Sequence, residues 1–332
     1  MWKERALNLK EEGYRPVDIY KILCDEGYDV NYNTMRKFLN PNNHIKGKIV
    51  YKDKKEPTEQ DVEAFIKAMH DIQKKIQKLD TKQTKASFEI DDDKPVCIAW
   101  WGDWHEGSLG TDYEQLDKDT EIIANTDGLY WIGGGDYKDN YLTHGHAGAQ
   151  YEQIIQPGMQ DLAVKHRMRK VAHNCIALVR GCHDDWDKKD GDKDFISTLC
   201  EEVNALNLWH GGDIYIKIGN QEYHWKVRHK YKYESSLNVE NSMRRIMEVQ
   251  GPCDVACVAH LHNPYYQQRH LMGEQRVFMR TGSYKIWDEH GQKNAGYKGK
   301  VGIPCVILFP DEKEMIPLYL PQAIKLLKIL RR

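Results

Sequence analysis

Five short blocks of the chain carry the residue types that hold metal ions. They are Gly102-Asp103-Trp104-His105, Gly135-Asp136-Tyr137-Lys138-Asp139-Asn140, Gly181-Cys182-His183-Asp184, Arg228-His229-Lys230 and Ala259-His260-Leu261-His262-Asn263. A mixture of hard carboxylates and borderline imidazoles suits Mn²⁺, Fe²⁺ or Zn²⁺ better than Ca²⁺. An Asp-x-His or His-x-His pair can set both side chains on one ion if the backbone turns sharply, and the glycine before Asp103 permits such a turn. One such residue alone is ordinarily a turn or capping residue. Five blocks in the same context point to one joint site.

That context is the end of a short apolar run. Apolar runs at 96–101, 129–132, 176–179, 223–227, 254–258 and 301–309 alternate with helical stretches near 113–124, 160–173, 195–206 and 239–249. The alternation predicts an α/β domain. In open α/β sheets ligands sit at the carboxyl edge of the strands, so five consecutive strands that each end in a block should bring these residues together.

The wider composition is that of a soluble globular protein. The chain has 332 residues, 40% hydrophobic and 30% charged, enough for one large domain and something small. Its formal net charge of −2 excludes a coat protein dominated by basic charge, but leaves room for a local basic patch. No apolar run approaches the ~18 residues of a membrane span. The charged start Met1-Trp2-Lys3-Glu4-Arg5 carries no apolar signal core. Eight cysteines form no CxxC pair, so a reduced protein is expected rather than a disulfide framework or zinc ribbon. The expected location is the cytoplasm of a bacterial or phage-infected cell.

Residues 1–48 read as three short helices. The first ends at Gly13, the second starts at Pro16 and ends at Gly27, and the third follows Asn33 as N-cap. This unit resembles a helix-turn-helix module of phage and DNA-binding proteins. That resemblance places Asn33, Thr34, Arg36 and Lys37 towards DNA. Small three-helix units also dock proteins. Residues 49–94 read as a lysine-rich linker, a helix near 58–79 and a polar, acidic boundary. The helix carries an apolar stripe at Val62, Phe65, Ile66, Met69, Ile72, Ile76 and Leu79. Packing on the following domain is the favoured reading of that stripe, and a short coiled coil pairing two subunits is the other. The catalytic domain is expected over 95–320, and 321–332 as a basic amphipathic helix.

The ordered set GDxH, GDxxD, GxHD, H and HxH resembles the calcineurin-like metallophosphoesterase superfamily over residues 95–320. The resemblance implies a two-sheet α/β sandwich flanked by helices, with two divalent ions at the strand ends. Mn²⁺ is the first expectation, with Fe²⁺ or Zn²⁺ as alternatives. It also implies roles. Asp103, His105 and His262 would hold one ion, Asp136 would bridge, and His229 and His260 would hold the other. His183 would be the catalytic histidine, oriented by Asp139 or by Asp184. Two features depart from the family. Cys182 stands where the family has a ligating Asn: it ligates the second ion, sits by without ligating, or marks a lost site. Asn140, a candidate substrate contact, replaces the family's phosphate-clamping Arg, which argues against a phosphoprotein phosphatase.

Trp104, Tyr137 and Trp186 fall in the same loops, where they could stack on a base or roof the site. His144 and His146 could touch substrate or lie in a solvated loop. Lys226, Arg228, Lys230 and Lys232 would share one face of an extended segment, a strip suited to a polyanion or merely a solvated edge. Arg280-Thr281-Gly282-Ser283-Tyr284 resembles the small-residue turn that follows HxH in this family, and the resemblance implies a structural role near the ions. The leading expectation is a metal-dependent phosphodiesterase that acts as a nuclease on DNA. The alternatives are a small-molecule or cyclic-nucleotide phosphoesterase, or a DNA-binding regulatory protein whose metallo domain is weakly active.

Overall fold

The computed structural model describes residues 2–40, 56–80, 83–142, 149–191, 193–235, 237–271, 273–294 and 299–332. The chain divides into two compact units, residues 1–75 and 76–332.

The first unit opens with α1 (Trp2–Glu11), α2 (Pro16–Asp25) and α3 (Tyr32–Phe38). Gly13 and Gly27 follow the first two helices with φ of 91° and 85°, the left-handed stop that lacks a Cβ penalty. The N-cap of α3 is Asn31, not Asn33. Its side chain accepts the N–H groups of Asn33 and Thr34, so the helix starts before the expected position. Ala6, Leu9, Ile19, Leu23, Met35 and Leu39 form the buried centre of the three helices. The next helix, α4 (Glu59–Leu79), buries no residue.

The second unit is a two-sheet α/β sandwich. Its strands are β1 (Lys85–Ile90), β2 (Val96–Trp101), β3 (Leu129–Gly133), β4 (Cys175–Leu178), β5 (Leu206–Asn207), β6 (Gly211–Ile218), β7 (Gln221–Arg228), β8 (Val255–Val258), β9 (Tyr265–Leu271), β10 (Glu274–Arg280), β11 (Pro304–Leu308) and β12 (Met315–Tyr319). Its helices are α5 (Tyr113–Asn125), α6 (Pro157–Val171), α7 (Trp186–Gly191), α8 (Phe195–Val203), α9 (Asn241–Gln250), α10 (Glu289–Asn294) and α11 (Leu320–Leu330). One sheet has the order β12-β11-β2-β3-β4-β5, with β2 to β5 parallel. The other has the order β1-β6-β7-β8-β10-β9.

Strand β2 shows why two faces are covered. Val96, Ile98 and Trp100 point into the layer between the sheets, against Ile214, Trp225 and Cys257. Cys97, Ala99 and Trp101 point to the helical side, against residues of α5, α6, α8 and α11. All six are buried, so the period of two is hidden in a continuous apolar run. The C-terminal helix α11 contributes Leu320, Ala323 and Leu327 to that helical-side core. β1 lies in the stretch expected to be a polar boundary. It pairs in parallel with β6, so the sheet begins before Pro95.

Candidate metal centre

The five blocks do follow strand ends, but the strands are not consecutive and do not share a sheet. β2, β3 and β4 deliver Asp103 and His105, Asp136, and Cys182 and His183. β7 and β8 of the other sheet deliver His229, and His260 and His262. The backbone at these ends is unusual. Asp103, His105, Asp136, Asn140, His260 and His262 have φ of 52°, 49°, 51°, 50°, 71° and 54°. Each left-handed non-glycine residue costs ~1–2 kcal/mol. Six at one place mark a site that geometry, not stability, has shaped. Glycine is needed beside them. A Cβ on Gly181 would stand 2.0 Å from Asp136 Oδ1, and one on Gly102 2.8 Å from Gly134 Cα.

These ends bring candidate donor atoms into four overlapping groups. They are Asp103, His105 and His262; Asp103, Asp136 and His229; His105, Asp136 and His183; and Cys182, His229 and His260. Within each group the atoms lie within 4.8 Å of one another. His105 Nε2 lies 3.1 Å from His262 Nε2, and His262 Nε2 lies 3.2 Å from Asp103 Oδ1. His229 Nε2 is 3.1 Å from Asp136 Oδ2, but without hydrogen-bond geometry. Cys182 Sγ is 3.8 Å from His260 Nδ1.

The donor set fits cations. Buried Asp103 Oδ2 and His229 Nε2 have no hydrogen-bond partner, an arrangement costly unless something else satisfies them. The rings are also aimed. His229 Nδ1 bonds the Gly134 carbonyl at 2.8 Å and His105 Nδ1 bonds Asp139 Oδ1 at 3.2 Å, which leaves each Nε2 for the centre. Burial, with His229 beside it, pushes His260 down to about 3. Burial and His262 hold His105 well below the ordinary imidazole range. Neutral imidazole is the form that ligates.

Other expected residues take different places. His183 Nδ1 bonds the backbone carbonyl of Asp139 at 2.5 Å, and its ring packs on Trp186 with centroids 4.2 Å apart. The Asp139 carboxylate thus orients His105, not His183. Asp184 does not orient His183 either. Its carboxylate accepts the N–H groups of Asp136, Tyr137 and Gly181, tying the β3 and β4 loops together. Burial, with Asp136 nearby, pushes the Asp184 carboxyl up to about 7. Asn140 is buried and donates to the His183 carbonyl at 2.9 Å, so it braces the loop.

Trp104 and Tyr137 are fully buried and do not face a substrate. Trp104 packs against Trp101, Trp131 and Tyr137, and the Tyr137 hydroxyl donates to the Val179 carbonyl. The basic strip is also broken. Lys226 is buried against the Asp213 carboxylate, and Arg228 is half-buried with its guanidinium on Gln250 Oε1. Lys230 and Lys232, beyond the end of β7, are exposed. His144 and His146 lie outside the described residues. The 280–284 turn does pack under the centre, with Ser283 Oγ and the Tyr284 N–H both donating to the Asp103 carbonyl.

One residue had no signal in the sequence. Lys285 is buried and donates to Asp139 Oδ1 at 3.0 Å, on the same oxygen that meets His105. Burial works against its charge, but Asp139, Tyr141 and Asp288 around it raise its pKa. It follows the 280–284 turn, far in sequence from Asp139.

No family model matches the chain, and no curated protein matches it. Among solved structures, the chain is similar to a Streptococcus pneumoniae protein described as an uncharacterised predicted phosphoesterase. The identity is 11% and the TM-score 0.31, over 68% of this chain and 98% of that one. It is similar to Vps29 of Chaetomium thermophilum at 12% identity and a TM-score of 0.37, over 68% and 97%. It is similar to a Thermotoga maritima protein at 13% identity and a TM-score of 0.32, over 68% and 99%. Values this low say nothing of a shared activity, so the functional reading rests on the residues of the centre.

Proposed function

We propose that the chain is a metal-dependent phosphodiesterase that acts on DNA as a nuclease. The observation that carries the metal reading is the sharing of Asp136 between donor groups drawn from both sheets. Asp103, His105 and His262 would hold one ion, His229, His260 and Cys182 a second, and Asp136 both. A thiolate in the second group suits Zn²⁺ or Fe²⁺ better than Mn²⁺ or Mg²⁺. Two such ions would supply charge neutralisation at the phosphate and lower the pKa of water.

The chain's own residues do the rest. His183, fixed through Nδ1 by the Asp139 carbonyl, keeps Nε2 for the leaving oxygen. Burial pushes His183 down to about 4, so an anionic phosphate beside it is what favours its protonated, proton-donating form. Trp186 and Tyr141 pack around that ring, with Tyr141 4.9 Å from Trp186, and give an aromatic wall beside the leaving group. Such a wall suits a base or sugar.

DNA as substrate is supported by the first unit. Asn33, Thr34, Arg36 and Lys37 are all exposed on α3, while Met35 between them is buried. A cleft of ≈ 730 Å³ lined by Lys10, Asn33, Arg36 and Lys37 lies on this face. The test is hydrolysis of labelled single- and double-stranded DNA with Mn²⁺, beside a generic phosphodiester, each with a His183→Ala control. DNA cleavage lost in that variant supports the nuclease. Cleavage of the generic ester alone moves the substrate to small phosphoesters, and turnover of neither contradicts the enzyme reading.

A further inference from the structure

We infer that α4 pairs with α4 of a second copy of this chain as a parallel two-stranded coiled coil. The helix has 21 residues and none is buried. Val62, Phe65, Met69, Ile72, Ile76 and Leu79 recur in strict steps of three and four, the a and d positions of three heptads. Their exposure runs from 44% to 81%. The residues between them are almost all polar or charged, apart from Ile66 beside the seam, Ala64 and Ala68. A globular packing face has a wider stripe, and a narrow two-position seam is the form that a like helix covers. Most helical stability in proteins comes from packing of an apolar face, so a helix that buries none of its seam calls for a partner.

The occupant follows from the flanking charges and the area. In a parallel pair, Lys75 at g faces Asp80 at the following e position of the other copy, an attractive contact. In an antiparallel pair with the same apolar layers, Glu59 would face Asp80, a repulsive one. The seam covers on the order of 500 Å² per copy, about 1,000 Å² in the pair, the lower bound for a specific interface.

Sedimentation equilibrium of the full chain at ~10 µM tests this. The expected mass is twice 38.8 kDa. Ile72→Glu should return the protein to the single-chain mass, and Lys74→Glu, on the outer face, should leave the pair intact. A single-chain mass for the parent overturns the inference, and so does a pair that survives Ile72→Glu. Orientation is read by oxidising Leu79→Cys in a Cys24→Ser background, since Cys24 is exposed. Covalent dimer formed through Cys at 79 supports the parallel pair even if Ile72→Glu fails to fold, and its absence overturns it. None of these readouts depends on metal or hydrolysis.

Discussion

His105 and His262 set two Nε2 atoms 3.1 Å apart, with Asp103 Oδ1 3.2 Å from His262 Nε2 and the other Asp103 oxygen, Oδ2, buried without a proton donor. One shared proton would satisfy the two rings only, whereas a cation satisfies all three donors. Single substitutions at the centre should read this out. Cys182→Ala should cut the bound divalent ion from two per chain towards one, measured by elemental analysis, and unchanged stoichiometry removes the thiolate from the ligand set. Lys285→Met leaves the Asp139 carboxylate buried without its cation, and loss of one partner of a buried pair costs ~3–5 kcal/mol of stability. His105 then loses a fixed orientation. The expected loss of metal affinity by calorimetric titration is about 10–100-fold, the range typical of residues behind a ligand. Lys285→Arg should recover most of it if charge alone matters. His183→Ala should keep the ions and lower turnover by ~10²–10⁴, and turnover equal to the parent's would rule out its role as acid.

Among the elements, the strand ends that carry ligands were legible because each apolar run stops at a glycine or a polar pair. The partners of those strands were not. β6 alternates and β9 is largely polar, so neither reads as an apolar run. β1 (Lys-Ala-Ser-Phe-Glu-Ile) alternates too, yet its lysine and glutamate make it look like linker. The division of the ligands between two sheets depends on pairings such as β7 with β8, which are not local in sequence. Loop position likewise could not say that Trp104 and Tyr137 turn inwards, nor that Lys285 reaches Asp139 across 146 residues of chain. What was legible in the α3 region was its helix and exposed face, while its cap lay two residues earlier because Asn31 offers the better-placed acceptor. Gly181→Ala is the element-scale test. Its Cβ would meet Asp136 Oδ1 and the Asp136 backbone nitrogen, so the β4 loop must move away from β3. The expected result is a lower Tm and loss of bound metal together. A variant with parental Tm and metal content would show that the two loops are not locked.

At the scale of the whole molecule, no described helix is long and apolar enough to cross a membrane. In the proposed function the helical unit would hold DNA and the sandwich would cut it. Arg36→Glu with Lys37→Glu should weaken binding of a labelled duplex and spare hydrolysis of a generic ester. The salt dependence of that binding should flatten by about one unit for each phosphate no longer neutralised. Equal loss of both activities would place the defect in folding instead. The central claim is that this chain holds two ions at the ends of strands from two sheets. An anomalous difference map from crystals grown with Mn²⁺ tests it most directly. Two peaks are expected, one among Asp103, His105 and His262 and one among His229, His260 and Cys182, with Asp136 between them. A single peak or none at this centre would contradict it.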